Sequence, residues 1–172
     1  MKKIGLFYGT DTGNTEAIAE QITDLIKSKN IEIDTYDIFS IKEPTLENYE
    51  YLILGVSTWY DGELQSDWES YFIDFEKIDF SGKKVAIFGL GDQLGYDETF
   101  LDGVGILGKV VLENNGELFG KWSTEGYHNE ESVAELEEGF FCGLAIDEDN
   151  QDDLTNERVE EWVNQILEEF EI

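Results

Sequence analysis

Two uninterrupted apolar runs constrain this chain more than any other feature: residues 49–57 (YEYLILGVS) and 83–90 (KKVAIFGL, with its paired lysines at the start). Neither alternates polar with apolar, so neither can lie with one face in water. Runs of this kind belong to parallel strands covered on both faces, and parallel strands require crossover segments. The rest of the chain supplies them. Residues 3–9 form a shorter buried strand bounded by glycine, and residues 15–28 place Ile18, Ile22, Leu25 and Ile26 on one helical face. A second strand is expected over 31–38, alternating Ile31, Ile33 and Thr35 with acidic neighbours. Helices are expected over 65–77 (Trp68, Tyr71, Phe72, Phe75) and 99–113 (Phe100, Val104, Leu107, Val111). The final helix carries Val159, Trp162, Val163, Ile166, Leu167 and Phe170, with Thr155 or Asn156 as its cap. The expected fold is α/β: a doubly wound, five-stranded parallel sheet with helices on both faces.

One stretch breaks the rhythm. Residues 116–123 read as the fifth strand, yet 143–147 (GLAID) are also strand-like, which makes 124–141 an insertion in or beside that strand. No linker divides the chain, the single proline is Pro44, and 172 residues suit a single domain, 1–172.

Charge narrows the function. Asp and Glu number 40 against 11 Lys and Arg, a formal net charge of −29. That field repels nucleic acid and anionic membranes and attracts basic proteins. With 41% hydrophobic residues the chain can still build a core, so an ordered acidic globule is expected rather than disorder. No apolar stretch reaches the roughly 18 residues of a membrane span, and the start MKKIGLFYG is no signal peptide. Cys142 stands alone, excluding an intramolecular disulfide. The cytoplasm is the expected location.

In a doubly wound sheet, ligands bind beyond the carboxyl ends of the strands, where the strand order reverses. Three loops there are unusual. After strand one, Thr10-Asp11-Thr12-Gly13-Asn14-Thr15 leads straight into a helix, offering hydroxyls, an amide and free helix N–H groups to a phosphate. It is neither a Walker A loop nor GxGxxG, and a plain capped turn is the alternative. It holds no cation, which suits a phosphate that is retained rather than transferred. After strand three, Thr58-Trp59-Tyr60-Asp61-Gly62 sets two aromatics beside a turn. After strand four, Gly91-Asp92-Gln93-Leu94-Gly95-Tyr96 places one aromatic among glycines. Trp59 and Tyr96 can flank a flat ring from two sides.

These segments, TDTGNT at 10–15, STWYDGELQSDW at 57–68, FGLGDQLGYDETF at 88–100 and GLAIDEDNQDDLT at 143–155, resemble the long-chain flavodoxins in order and spacing over nearly the whole chain. The resemblance implies a flavodoxin-like fold and a low-potential one-electron carrier with non-covalent FMN, working without metal or substrate turnover. It implies that Thr10, Asp11, Thr12, Gly13, Asn14 and Thr15 hold the FMN phosphate. Thr58, Trp59, Tyr60, Asp61 and Gly62 would line the inner side of the ring, and Gly91, Asp92, Gln93 and Tyr96 its outer side and pyrimidine edge. Asp149 would reach toward the ring. The peptide at Tyr60-Asp61 sits where the family accepts the flavin N5 proton. Partners would be basic redox proteins, such as a flavodoxin/ferredoxin reductase and an electron acceptor, meeting a monomer. At an effective ε of about 20, each carboxylate about 10 Å from the flavin would oppose its reduction by about 1.7 kcal/mol, on the order of 70 mV.

Other readings are weaker on residues. A flavoenzyme could share the fold, but Trp59 and Tyr96 would cover the ring. A phospho-receiver needs an aspartate at the end of strand three, where Val56 and Ser57 stand. The run 147–151 begins like a calcium loop but has Asp152 and Arg158 at its sixth and twelfth positions. His128 reads as a surface residue and Cys142 as a buried inert thiol.

Overall fold

A computed structural model describes residues 2–41 and 46–172. In chain order the elements are β1 (Lys3–Tyr8), α1 (Asn14–Ser28), β2 (Glu32–Asp37), β3 (Tyr51–Trp59), β4 (Glu63–Leu64), α2 (Ser66–Phe75), β5 (Lys84–Leu90), α3 (Asp102–Glu113), β6 (Glu117–Phe119), β7 (Trp122–Ser123), β8 (Phe140–Phe141), β9 (Leu144–Ile146) and α4 (Thr155–Phe170). The main sheet runs β2-β1-β3-β5-β6, all parallel, with β9 beside the carboxyl half of β5. The five-stranded doubly wound sheet expected from the sequence is therefore present, its fifth position filled by two short strands in succession.

The apolar runs behave as their composition demands. Within β3, Leu52 and Leu54 face one core with Trp68, Phe75, Val104 and Leu107, while Ile53 faces the other with Ile18, Ile22, Trp162 and Ile166. Strand β2 lies at the edge; Ile33 is its one buried residue, Glu32 is exposed and Asp34 to Asp37 are half-buried. Helix α4 buries the stripe from Val159 to Phe170. Trp68 and Trp162 are fully buried, and each indole N–H donates to a backbone carbonyl, of Gly55 and Gly120 respectively, at 2.8 Å.

Several boundaries differ from expectation. Strand β3 continues through Thr58 and Trp59 because β4 folds back antiparallel against them, turning the expected loop into a hairpin. Helix α3 starts at Asp102 rather than residue 99, because Leu101 is left-handed at φ 64°. Thr155 does not cap α4; its hydroxyl donates to the Glu148 carboxylate instead.

The expected strand 116–123 ends at Phe119. There the chain turns at Gly120, and Trp122–Ser123 pair antiparallel with Phe140–Phe141 in a separate ribbon. The chain rejoins the sheet at β9. Between residues 124 and 141 the larger aliphatic and phenyl side chains are Val133, Leu136, Phe140 and Phe141. Only Phe141 among these is fully buried, and Val133 and Leu136 are each 39% exposed. The anchors are Phe141 and Ala134, with Tyr127 packed edge-on against Phe141 and tilted against Phe100.

Candidate functional site

Strand order reverses between β1 and β3, and a cleft of about 370 Å³ opens at their carboxyl ends. Its walls come from the three loops singled out above and from the turn after β9.

The loop after β1 is organised locally. The Thr10 hydroxyl accepts from the Gly13 N–H at 2.9 Å, and Gly13 adopts φ 88°, a conformation glycine reaches without steric cost. No side chain caps α1, so the N–H groups of its first turn face the cleft end without a capping partner. Of the six residues read as a phosphate grip, Thr12 and Asn14 line the cleft. Thr15 is buried and its hydroxyl pairs with Ser57 at 2.7 Å. Asp11 faces elsewhere: its carboxylate accepts from the Gln65 amide (3.1 Å) and the Ser66 hydroxyl (2.8 Å) at the start of α2. A carboxylate turned away is consistent with electrostatics, since it would repel an anion.

Thr58, Trp59 and Tyr60 line the cleft, whereas Asp61 and Gly62 do not. The Thr58 hydroxyl accepts from the Gly103 N–H at 2.9 Å, fixing the hairpin to the start of α3. Gly62 has φ 87°, and a Cβ there would come within 2.6 Å of Asp102 Oδ2. Asp102 is 7% exposed; burial pushes its carboxyl above the usual range, and the Val133 N–H, donating at 2.8 Å, opposes this in part. Tyr60 is left-handed (φ 45°) and exposed, a strained geometry for a bulky residue. The Trp59 indole N–H is buried without an acceptor among the described residues.

On the opposite wall stand Gly91, Asp92 and Tyr96, with Glu148 and Asp149 from the turn after β9. The Gly95 N–H (2.7 Å), with those of Leu94 and the Asn150 side chain, holds the Asp92 carboxyl below its usual range despite some burial. Asp149 is shifted the other way, first by burial and then by the nearby Asp92 and Asp147. Gln93 departs from the expectation that it lines the cleft. Its side chain is fully buried behind the wall, donating to Asp147 and accepting from the His128 N–H.

Ser57, Leu90 and Glu148 line the cleft without having been singled out. Ser57 and Leu90 end the two apolar runs of the sequence, and that position was their only sequence signal; Glu148 had none. None of residues 124–141 lines the cleft, although four of their backbone N–H groups tie them to residues behind its walls: His128 to the Gln93 side chain, Glu130 and Glu131 to the Asp97 carbonyl, and Val133 to the Asp102 carboxylate.

The residues present suit a phosphate joined to a flat ring. One end offers neutral donors at a helix start, and the other offers the aromatic side chains of Trp59 and Tyr96, the Trp59 indole N–H having no acceptor among the described residues.

Comparison with known proteins agrees. The Flavodoxin family model matches residues 6–162. A flavodoxin of Nostoc sp. is 48% identical over 169 residues, covering 98% of each chain. One from Haemophilus influenzae is 47% identical over 170 residues, covering 99% of this chain and 97% of its own. In three dimensions, Fusobacterium nucleatum flavodoxin, solved bound to flavin mononucleotide, aligns with TM-score 0.92 at 38% identity, over 98% of this chain and 99% of its own. With a family match across most of its length and near-complete relatives at almost half identity, this chain belongs to the flavodoxin family.

Proposed function

We propose that this chain is a low-potential, one-electron carrier of the long-chain flavodoxin type, holding FMN non-covalently in the cleft between β1, β3 and β5. The observation that carries the reading is the meeting, in one cleft, of an uncapped helix start with Trp59 and Tyr96. Flavodoxins are themselves a standard case of ligand placement at this strand-order reversal, so the location follows a known rule.

Thr12, Asn14 and the first-turn N–H groups of α1 hold the phosphate, while Thr10 and Thr15 brace the loop. Trp59 and Tyr96 take the ring between them, with Thr58, Tyr60, Gly91 and Asp92 around it and Asp149 at the rim. Asp61 and Gly62 shape the turn. Bound FMN supplies the redox chemistry, accepting and releasing single electrons. The protein sets its orientation and potential: the carboxylates of Asp92, Glu148 and Asp149 oppose added negative charge. The 124–141 stretch is the insertion of the long-chain type.

Turnover of a separate substrate is not part of this reading. Among the described residues no histidine or cysteine lines the cleft, and burial raises the Cys142 thiol to about 12. A net charge of −29 steers the protein, as a single-domain monomer in the cytoplasm, to basic partners such as a flavodoxin/ferredoxin reductase and an acceptor.

The test is extraction and mass identification of the bound ligand, followed by stepwise reduction watched by visible absorption. One FMN per chain, reduced in two separable one-electron stages, is expected. FAD, or no flavin in a folded sample, would overturn the reading. Steady NAD(P)H oxidation with a quinone by the protein alone would favour a flavoenzyme.

A further inference from the structure

Behind the cleft wall lies a buried polar junction with no part in holding a ligand directly. Asp147 is 1% exposed and Gln93 is 0% exposed, and neither lines the cleft. Asp147 Oδ2 accepts from the Gln93 N–H (3.1 Å), the Gln93 amide (2.7 Å) and the Asn150 amide (2.9 Å). Its Oδ1 accepts from the N–H groups of Asp149 (3.1 Å) and Asn150 (3.0 Å). The same Asn150 amide reaches Asp92 at 2.8 Å, and Gln93 Oε1 accepts from the His128 N–H at 2.7 Å. One carboxylate thus ties together both loops that form the outer wall, 91–97 and 147–150, and through Gln93 the 124–141 stretch.

We propose that Asp147 is a positioning residue for the ring side of the site, acting through Gln93 and Asn150 to set where Asp92, Tyr96 and Asp149 stand. The assignment rests on the flavin-binding reading above. Chemistry favours a carboxylate here. Five donor groups converge on it, and an ionised carboxylate accepts at about four lone-pair sites without offering a donor. An asparagine would turn an NH₂ group toward the Gln93 donors, leaving buried donors facing one another. The junction is also distant in function from the phosphate loop, which is braced by Thr10, Thr15 and Ser57 instead.

That separation gives the test. Dissociation constants for FMN and for riboflavin, which lacks the phosphate, are measured by flavin fluorescence on the flavin-free protein and its variants, with folding checked by denaturant midpoint. Asp147→Asn is expected to weaken both ligands by the same factor, about tenfold for lost buried hydrogen bonds. Thr12→Val should weaken FMN alone. Asn150→Ala cuts the amide bridge from Asp147 to Asp92 and leaves the Asp147 carboxylate with its other donors. It should weaken both ligands by one common factor, about threefold. Unchanged affinities in folded Asp147→Asn, a loss confined to FMN in either variant, or parent affinities in Asn150→Ala would each overturn the assignment. Should Asp147→Asn fail to fold, Asn150→Ala decides alone: equal weakening of both ligands supports the assignment, and unchanged affinities, a loss confined to FMN or a variant that does not fold overturns it. A folded parent that takes up neither ligand would overturn the functional reading itself, an outcome distinct from any of these.

Discussion

The loop at 10–15 and the walls around Trp59 and Tyr96 face the same cleft but are built in opposite ways. The first is assembled from within: Thr10 bonds Gly13 three residues on, and the donors belong to the start of α1. The walls are held from afar. Thr58 is fixed by Gly103, Gly62 rests against Asp102, Asp102 holds Val133, and the 91–97 loop hangs on Asp147 and His128. A phosphate grip can be local because helix geometry already points its N–H groups one way. A slot for a flat ring needs two surfaces at a fixed separation, and only distant parts of the chain can set it.

The harshest way to break this contrast is to rejoin Ser123 to Gly143 through a short turn. The variant loses fully buried Phe141 and Ala134 and the edge-packed Tyr127, so stability should fall by about 3 kcal/mol or more, as for large core truncations. Where it still folds, riboflavin affinity should suffer as much as FMN affinity, since only wall ties are cut. A denaturation midpoint unchanged from the parent would show that the stretch is not part of the core.

Next in size is Trp59→Ala, expected to weaken flavin binding by roughly 1–3 kcal/mol, by analogy with bases stacked on aromatic residues. Trp122→Ala removes a half-buried ring whose indole N–H donates to the Tyr127 hydroxyl at 3.0 Å. It should cost stability and leave affinity nearly unchanged. Equal losses of affinity at both positions would mean that the wrong aromatic has been assigned to the ring.

A smaller effect is expected from Thr12→Val, which under the proposed function removes one neutral hydrogen bond to the phosphate, worth about 1 kcal/mol. FMN affinity should drop severalfold and riboflavin affinity should hold. Loss of riboflavin binding would show that the loop also sets the ring position, and the contrast between the two ends would blur.

The smallest effect concerns pH. Burial raises the Asp102 carboxyl, so its protonated form favours the folded state, and that contribution disappears as pH rises through the raised value. Asp102→Asn lacks the titration while keeping an acceptor for Val133. Its stability relative to the parent should therefore climb with pH from about 4, the ordinary carboxyl value, and level off above the shifted one. A flat difference across that window would mean that Asp102 is not desolvated.

The same contrast divides what could be read from the residues alone. Strand and helix order, both cores and the loop at 10–15 follow from patterns within a few residues of one another: unbroken apolar runs, a helical stripe, threonines around a glycine before a helix. Gln93 shows where that stops. Its place among glycines and an aromatic marks the loop as part of the site, but which way its side chain turns depends on Asp147, 54 residues away. The end of the fifth strand at Phe119, the hairpin that carries Thr58 and Trp59 into β3, and the engagement of Asp11 with Gln65 are of the same kind. The sequence by itself determined the α/β sheet, the position of the cleft and the neutral donors at its helix end, because backbone period and helix-end polarity are local properties. Only the tertiary structure decided which polar side chains face the cleft and which brace it, because a hydrogen-bonding group takes the partner that folding brings within about 3 Å, and nothing in the nearby sequence encodes that meeting.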